Sequence, residues 1–233
     1  MVTGGQYFKT RSSQILNVSH NFMTTEWYRK KTWSKTDEAE YFAKLGRAKK
    51  EGRPEYLKIQ AIEFVDTKDP ALLDIAELLI KKLFTDYPDD KFERSSCLET
   101  LGDIYKYRQL FDKAIEYYKN AIDFEKTYPQ VLTQAYLEYS KLVVTHKKQD
   151  QYNFAEKIVL KRIKDSIFPN EKYIAFSILS IISYYKGDKE KAGQYAELAD
   201  KNASAETSGL RYHKYLGIVT ERDSLLDRLV KRK

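Results

Sequence analysis

Apolar side chains recur at helical spacing along most of this chain, and the clearest example lies in residues 95–128. There, apolar residues follow one another at intervals of three and four in two separate series. Such spacing places the residues of each series on one face of a helix. The pattern predicts two antiparallel helices that pack through Leu98, Leu101, Tyr105, Ala114, Ile115, Tyr118 and Ala121.

Gly102 lies inside the first of these helices, where glycine costs about 1 kcal/mol relative to alanine. A glycine at such a place indicates that another helix comes very near, because only small residues allow two helices to approach closely. We therefore expect Gly102 to face Ala114 and Ala121 across the helix contact.

The same pattern recurs on both sides of this segment. Counterparts of Ala114 are found at Ala76, Ala155 and Ala192, and the four alanines follow one another at intervals of 38, 41 and 37 residues. The repeat predicts four helix pairs, at about 55–88, 95–128, 130–167 and 173–205. The pair at 130–167 has the least regular pattern, because Arg162 occupies a position where a small residue is expected.

The two ends of the chain differ from these pairs. Ser34 and Asp37 predict the start of an extra N-terminal helix, and the apolar residues after Thr207 predict a C-terminal capping helix over 207–231. Residues 1–22 lack periodicity, which indicates a disordered segment or an upstream extension of a chain that starts at Met23. Residues 23–233 are expected to form a single helical repeat domain.

The residues Leu98, Leu101, Gly102, Tyr105, Ala114, Tyr118 and Ala121 resemble the tetratricopeptide repeat signature. The resemblance extends from about residue 34 to residue 206. It implies an all-α fold, a right-handed α-solenoid of antiparallel helix pairs. The segments around Trp27-Tyr28-Arg29 and Trp33 are also similar to uncharacterised bacterial repeat proteins, a likeness that names no function.

Tetratricopeptide arrays bind proteins or peptides in a concave groove, so the resemblance implies a set of groove-lining positions. Tyr107 and Tyr184 are the leading candidates, because rigid aromatic rings anchor partners at low entropic cost. The full set of expected contact residues is Lys58, Glu99, Asp103, Tyr107, Lys141, Ile181 and Tyr184.

Composition and charge narrow the function classes. The 233 residues carry a net charge of +7, and the excess is spread over both ends and one central segment: +5 in residues 1–65, +3 in residues 131–170 and +4 in residues 207–233. A nucleic-acid-binding surface needs such segments to share one face. The candidates for that role are Arg29-Lys30-Lys31, Lys147-Lys148 and Lys231-Arg232-Lys233.

No group of residues in the sequence is typical of an enzyme. His20, His146 and His213 are isolated from other metal-ligating residues, and no glycine-rich loop is placed to hold phosphate. Cys97 is the only cysteine, so it forms no internal disulfide, and its place beside a core leucine indicates a buried thiol. We expect no catalysis, cofactor or metal.

The sequence therefore predicts a cytoplasmic, non-catalytic adaptor or scaffold with a protein or peptide partner and no membrane association. Two alternatives remain open: a nucleic-acid-associated regulator that uses the basic ends, and an immunity or antidote protein that occludes a toxin. The oligomeric state is open as well, with a dimer among the options.

Overall fold

The computed structural model describes residues 26–230, and this range contains ten α-helices and no strand. The prediction of an all-α fold is confirmed. The expectation for residues 1–22 lies outside the described residues. The helices are α1 (Lys35–Arg47), α2 (Arg53–Thr67), α3 (Pro70–Asp86), α4 (Arg94–Tyr107), α5 (Phe111–Thr127), α6 (Ala135–Thr145), α7 (Tyr152–Arg162), α8 (Pro169–Tyr185), α9 (Lys189–Ala203) and α10 (Ser224–Leu229).

The described chain divides into two compact units, residues 26–139 and residues 140–230, and the division falls within α6. In the first unit α2 packs against α3, α4 packs against α5, and α4 also contacts α2 and α3. In the second unit α8 packs against α9 and is also contacted by α7 and α10. Within each unit, α4 and α8 are thus the central helices.

Helix α1 begins where the sequence predicts. The Ser34 hydroxyl accepts a hydrogen bond from the backbone N–H of Asp37 at 3.1 Å, and the Asp37 carboxylate accepts one from the Ser34 N–H at 2.9 Å. This reciprocal capping box satisfies two N–H groups that would otherwise lack partners at the start of α1. At α3, the Asp69 carboxylate caps the N–H of Ala71 at 2.8 Å, and Pro70 occupies the first helical position.

A left-handed residue follows each of α2, α4, α6 and α8, the first helices of the four predicted pairs. These residues are Lys68, Gln109, Lys147 and Gly187, with φ between 53° and 87°. They follow one another at intervals of 41, 38 and 40 residues. After α4, α6 and α8, the next N–H reaches back five residues to a helix carbonyl, as Leu110 does to Tyr105 at 2.8 Å. These three turns therefore share one geometry although their sequences differ, and the turn after α2 shares only the left-handed residue.

The close contact between α4 and α5 is made by Gly102 and the ring of Tyr118. A Cβ atom added to Gly102 would lie 2.4 Å from a Tyr118 ring carbon. The three atoms nearest to this Cβ all belong to Tyr118 rather than to Ala114 or Ala121, so the requirement for glycine holds and its nearest neighbour is the tyrosine ring. Both alanines are fully buried, and so are Ala76 and Ala155.

In the second unit, small residues allow α8 and α9 to approach. Ala192, Ala196 and Ala199 of α9 are buried, as the pattern predicts. The hydroxyl of Ser180 donates a hydrogen bond to the carbonyl of Ala192 at 2.8 Å, which joins the middle of α8 directly to the backbone of α9. A larger side chain at either place would separate the two helices.

The predicted capping helix over 207–231 is wrong for residues 207–223, because α10 begins only at Ser224. Gly209 and Gly217 adopt φ of 79° and 74°, which a continuous right-handed helix excludes. The Asp223 carboxylate then caps α10 by accepting hydrogen bonds from the N–H groups of Leu225 and Leu226 at 3.0 Å. Residues 231–233 lie outside the described range.

Candidate partner-binding surfaces

Within residues 26–230, no three His, Cys, Asp or Glu side chains are arranged to hold a metal ion. Cys97 is fully buried, and burial raises the pKa of its thiol. Every helix in the part of the chain that the structure describes is too short or too polar to cross a bilayer.

The contact residues expected from the sequence fall into three groups. Tyr107 and Tyr184 are exposed on the last turns of α4 and α8. Lys58 and Lys141 are partly buried, and each forms an ion pair, with Glu93 and Asp223 respectively. The third group is buried: Glu99 and Asp103 in the first unit, and Ile181 in the second.

Buried carboxylates on α4 form contacts within the first unit. Asp103 accepts a hydrogen bond from the Tyr118 hydroxyl at 2.7 Å and one from the Lys106 ammonium at 3.1 Å. Lys106 also contacts Glu138 at 2.7 Å. Burial lowers the pKa of Lys106, but the carboxylates of Glu138 and Asp103 outweigh this effect and raise it. Lys106 therefore stays charged and neutralises the carboxylates of Asp103 and Glu138.

The end of α4 is also fixed against α3. Arg108 forms ion pairs with Glu77 and Asp74, and the Tyr105 hydroxyl donates a hydrogen bond to Glu77 at 2.9 Å. Burial raises the pKa of Glu77, but hydrogen bonds from Lys81, Arg108 and Tyr105 outweigh it and lower the pKa to about 2. These contacts hold the turn that follows α4 in one position.

Tyr107 and Leu110 project from this fixed turn. Their exposed fractions are 38% and 47%. The ammonium groups of Lys68 and Lys106 lie 5.5 Å and 5.6 Å from the centroid of the Tyr107 ring, within the range of cation–π attraction. We call Lys68, Lys106, Tyr107 and Leu110 the turn-edge surface. It presents an aromatic ring and an aliphatic side chain on a rigid base.

In the second unit, Tyr184 is joined by a residue that the sequence reasoning missed. Tyr185 lies two residues before the left-handed Gly187, as Tyr107 lies two residues before the left-handed Gln109. Tyr185 is also exposed; its hydroxyl donates a hydrogen bond to Gln149 at 2.9 Å. By this turn geometry the counterpart of Tyr107 is Tyr185 rather than Tyr184. Counting back from the Gly187-Asp188 turn could have found it.

The basic N-terminal segment is already neutralised within the first unit. Arg29 pairs with Glu26 and Glu63, Lys31 pairs with Glu63, and Lys30 lies 2.6 Å from Asp37. The hydrogen bond that the Lys30 ammonium donates to Asp37 raises the pKa of Lys30. This segment thus offers little net positive charge to a polyanion. The basic residues 231–233 lie outside the described residues.

No protein-family model, curated protein or solved structure matches this chain. The likeness to tetratricopeptide repeats therefore rests on the residues of the sequence, and it stays a prediction.

Proposed function

We propose that this chain is a non-catalytic module that binds a protein or peptide partner. In this proposal the four helix pairs are tetratricopeptide-like and stack as a right-handed α-solenoid. Two observations support the repeat character: the shared left-handed turn of the four pairs, and the fully buried alanines at corresponding positions of their second helices. Repeats that share one geometry are suited to presenting extended binding surfaces.

The turn-edge surface is the observation that carries the proposal. Tyr107 and Leu110 are large apolar side chains that remain exposed, although the neighbouring polar groups are held in ion pairs. Tyrosine on a rigid support is typical of interface hot spots, because little side-chain freedom is lost on binding. We therefore assign the first contact with the partner to Tyr107 and Leu110.

The experiment places a photo-activated cross-linking amino acid at position 110 and, as a matched control, at Leu78, an exposed leucine of the same unit. Cross-linking in the lysate of the native host is followed by mass spectrometry. The captured protein is then purified, and its affinity is measured by calorimetry for the wild type and for Tyr107→Ala, Leu110→Ser and Leu78→Ser.

We expect one protein to be captured at position 110 and not at position 78. Tyr107→Ala should weaken its binding at least about tenfold, equivalent to roughly 1.4 kcal/mol or more. Leu78→Ser should leave the affinity unchanged. Equal capture at both positions, or unchanged affinity in Tyr107→Ala and Leu110→Ser, would contradict the assignment.

A further inference from the structure

Residues 208–217 form a loop with a defined shape between α9 and α10. The N–H of Ser208 donates to the carbonyl of Lys214 at 2.7 Å, and the Ser208 hydroxyl donates to the carbonyl of His213 at 3.0 Å. These two bonds close the loop on itself. We call it the 208–217 loop.

The far end of the loop is anchored to the start of α8. The carbonyl of Gly217 accepts a hydrogen bond from the N–H of Asn170 at 2.8 Å. A Cβ atom on Gly217 would lie 2.3 Å from the ring of Phe168, and the residue has a φ of 74°. Only glycine meets both requirements, so the loop leaves the body of its unit at a fixed point.

Six consecutive side chains of this loop, residues 211–216, are exposed. Tyr212 and Tyr215 have exposed fractions of 80% and 73%. Single exposed apolar residues are common on protein surfaces. Two almost fully exposed tyrosine rings on one anchored loop instead indicate a surface that is covered by a binding partner.

The charge of the loop is of one sign. Residues 207–220 contain Arg211, His213 and Lys214 but no aspartate or glutamate. Among the described residues, Arg211 and Lys214 form no ion pair, whereas the nearby Arg222 is neutralised by Asp200 and Asp227. The Arg211 guanidinium lies 5.2 Å from the centroid of the Tyr212 ring, so a cation lies next to an exposed aromatic face.

We propose that the 208–217 loop binds single-stranded nucleic acid. Unpaired bases stack on aromatic rings, and neighbouring cations contact the phosphates, which is how proteins hold single strands without reading their sequence. A base-paired duplex hides the faces of its bases, so the two rings would gain little from it. A loop with cations and no carboxylates matches a polyanion better than the mixed charges of an ordinary protein surface. This proposal does not depend on the proposed protein partner.

Fluorescence anisotropy of labelled oligonucleotides tests the proposal with the full chain. The probes are a mixed-sequence 16-mer as single-stranded RNA, the same sequence as single-stranded DNA, and the DNA duplex, each at 50 mM and 200 mM salt. The variants are Tyr212→Ala with Tyr215→Ala, Tyr212→Phe with Tyr215→Phe, and Arg211→Ala with Lys214→Ala. Two controls are matched to them: Phe92→Ala removes another highly exposed ring, and Lys189→Ala removes another exposed cation.

We expect at least one single strand to bind more tightly than the duplex, and to weaken at the higher salt concentration. The double alanine variant should lose about tenfold or more in affinity, because each stacked base depends on its ring. The double phenylalanine variant should retain most of the affinity. Arg211→Ala with Lys214→Ala should weaken binding and flatten its salt dependence, and both controls should bind as the wild type does. Comparison of the RNA and DNA arms identifies the sugar.

Three results would overturn the proposal: no binding of either single strand, equal affinity for strand and duplex, or wild-type affinity in the double alanine variant with its melting temperature unchanged. Capture of a protein through a cross-linker at position 212, without nucleic-acid binding, would also overturn it. That result would assign the loop to a protein partner instead.

Discussion

Replacing Gly102 with alanine tests the tightest helix contact of the first unit. The new Cβ atom would lie 2.4, 2.5 and 2.8 Å from three ring carbons of Tyr118. The ring is fully buried, and its hydroxyl is bound to Asp103 at 2.7 Å, so it cannot move away without breaking that bond. Either the helices separate or the hydrogen bond is lost.

The change in the free energy of unfolding that Gly102→Ala causes is the sum of opposing effects. Alanine gains about 1 kcal/mol over glycine within a helix. Overpacking costs about 1–3 kcal/mol, and loss of a hydrogen bond to a charged group costs about 1.5–3 kcal/mol. Gly102→Ala incurs the overpacking cost and part of the hydrogen-bond cost, and the helix propensity of alanine offsets some of this. We therefore expect a net destabilisation of about 1–3 kcal/mol. For a chain of this length, each kcal/mol corresponds to a fall in melting temperature of about 2–4 °C.

The assay can isolate the first unit, because both tryptophans of the chain, Trp27 and Trp33, belong to it. They pack against Tyr41, and Trp33 also packs against Phe64. Urea unfolding followed by tryptophan fluorescence therefore reports on the environment of these two rings in the first unit. The urea unfolding transitions and the melting temperatures of the wild type and of Gly102→Ala are compared in the same buffer.

Two further variants distinguish the clash from a general effect of alanine. In a Tyr118→Leu background the ring is absent, so Gly102→Ala should be neutral or stabilising by up to about 1 kcal/mol. Gly46→Ala is the matched control, because no atom lies within 4 Å of a Cβ at that helical position. If Gly102→Ala unfolded at the same urea concentration as the wild type, or a higher one, the reasoning about this contact would be refuted.

The remaining predictions concern charge and reactivity. Because the folded protein lowers the pKa of Glu77 from 4.5 to about 2, the stability that this carboxylate contributes is present above pH 4.5 and is lost as the pH falls towards 2; acid titration of tryptophan fluorescence should show a smaller loss in Glu77→Gln. Cys97 should react with thiol reagents only at the rate of unfolding, and rapid labelling in native buffer would contradict its burial. An acidic C-terminal peptide should not bind in a calorimetric titration, because Lys58 and Lys141 are already paired with carboxylates; micromolar affinity would show otherwise.

The helix pairs could be predicted from the sequence because their signals are local. Ala76, Ala114, Ala155 and Ala192 each lie in a short segment with helical spacing of apolar residues, and all four are buried. The start of α1 could be predicted for the same reason, since its capping box spans only four residues. Such features depend on neighbours in the chain rather than on the tertiary structure.

The neighbours of Gly102 could not be predicted in the same way. The need for a glycine follows from its cost in a helix, but which side chain fills the space depends on how α5 is rotated about its axis. A shift of one residue rotates a helical side chain by about 100°. Tyr118 rather than an alanine faces Gly102 for this reason.

The candidate contact residues show a second limit. Glu99 and Asp103 have the polar character expected of a binding surface, but both are buried. The N–H of Gln134 donates a hydrogen bond to Glu99 at 3.0 Å, and Lys106 joins Asp103 to Glu138. Gln134 lies 35 residues beyond Glu99, and Glu138 lies 35 residues beyond Asp103, so no local pattern reveals these partners. Tyr107, the last residue of α4, remains exposed.

The 208–217 loop could not be predicted from the sequence, because its apolar residues have the spacing of a helix. Leu210 and Ile218 are spaced as in a helix, which led to the prediction of a helix there. Gly209 and Gly217 each lie beside one of these residues and adopt left-handed φ values that end regular structure. The aromatic and basic residues between them are therefore released from the packing that a helix would impose.

The two proposed surfaces can be tested separately, because they share no residue and belong to different units of the chain. Tyr107→Ala should weaken binding of the protein partner and leave oligonucleotide binding unchanged, since Tyr212 and Tyr215 are still present. The double alanine variant of the loop should weaken oligonucleotide binding and leave the affinity for the protein partner unchanged. If one of these variants lost both activities while its unit remained folded, a single partner would be in contact with both surfaces, and the separate assignments would have to be abandoned.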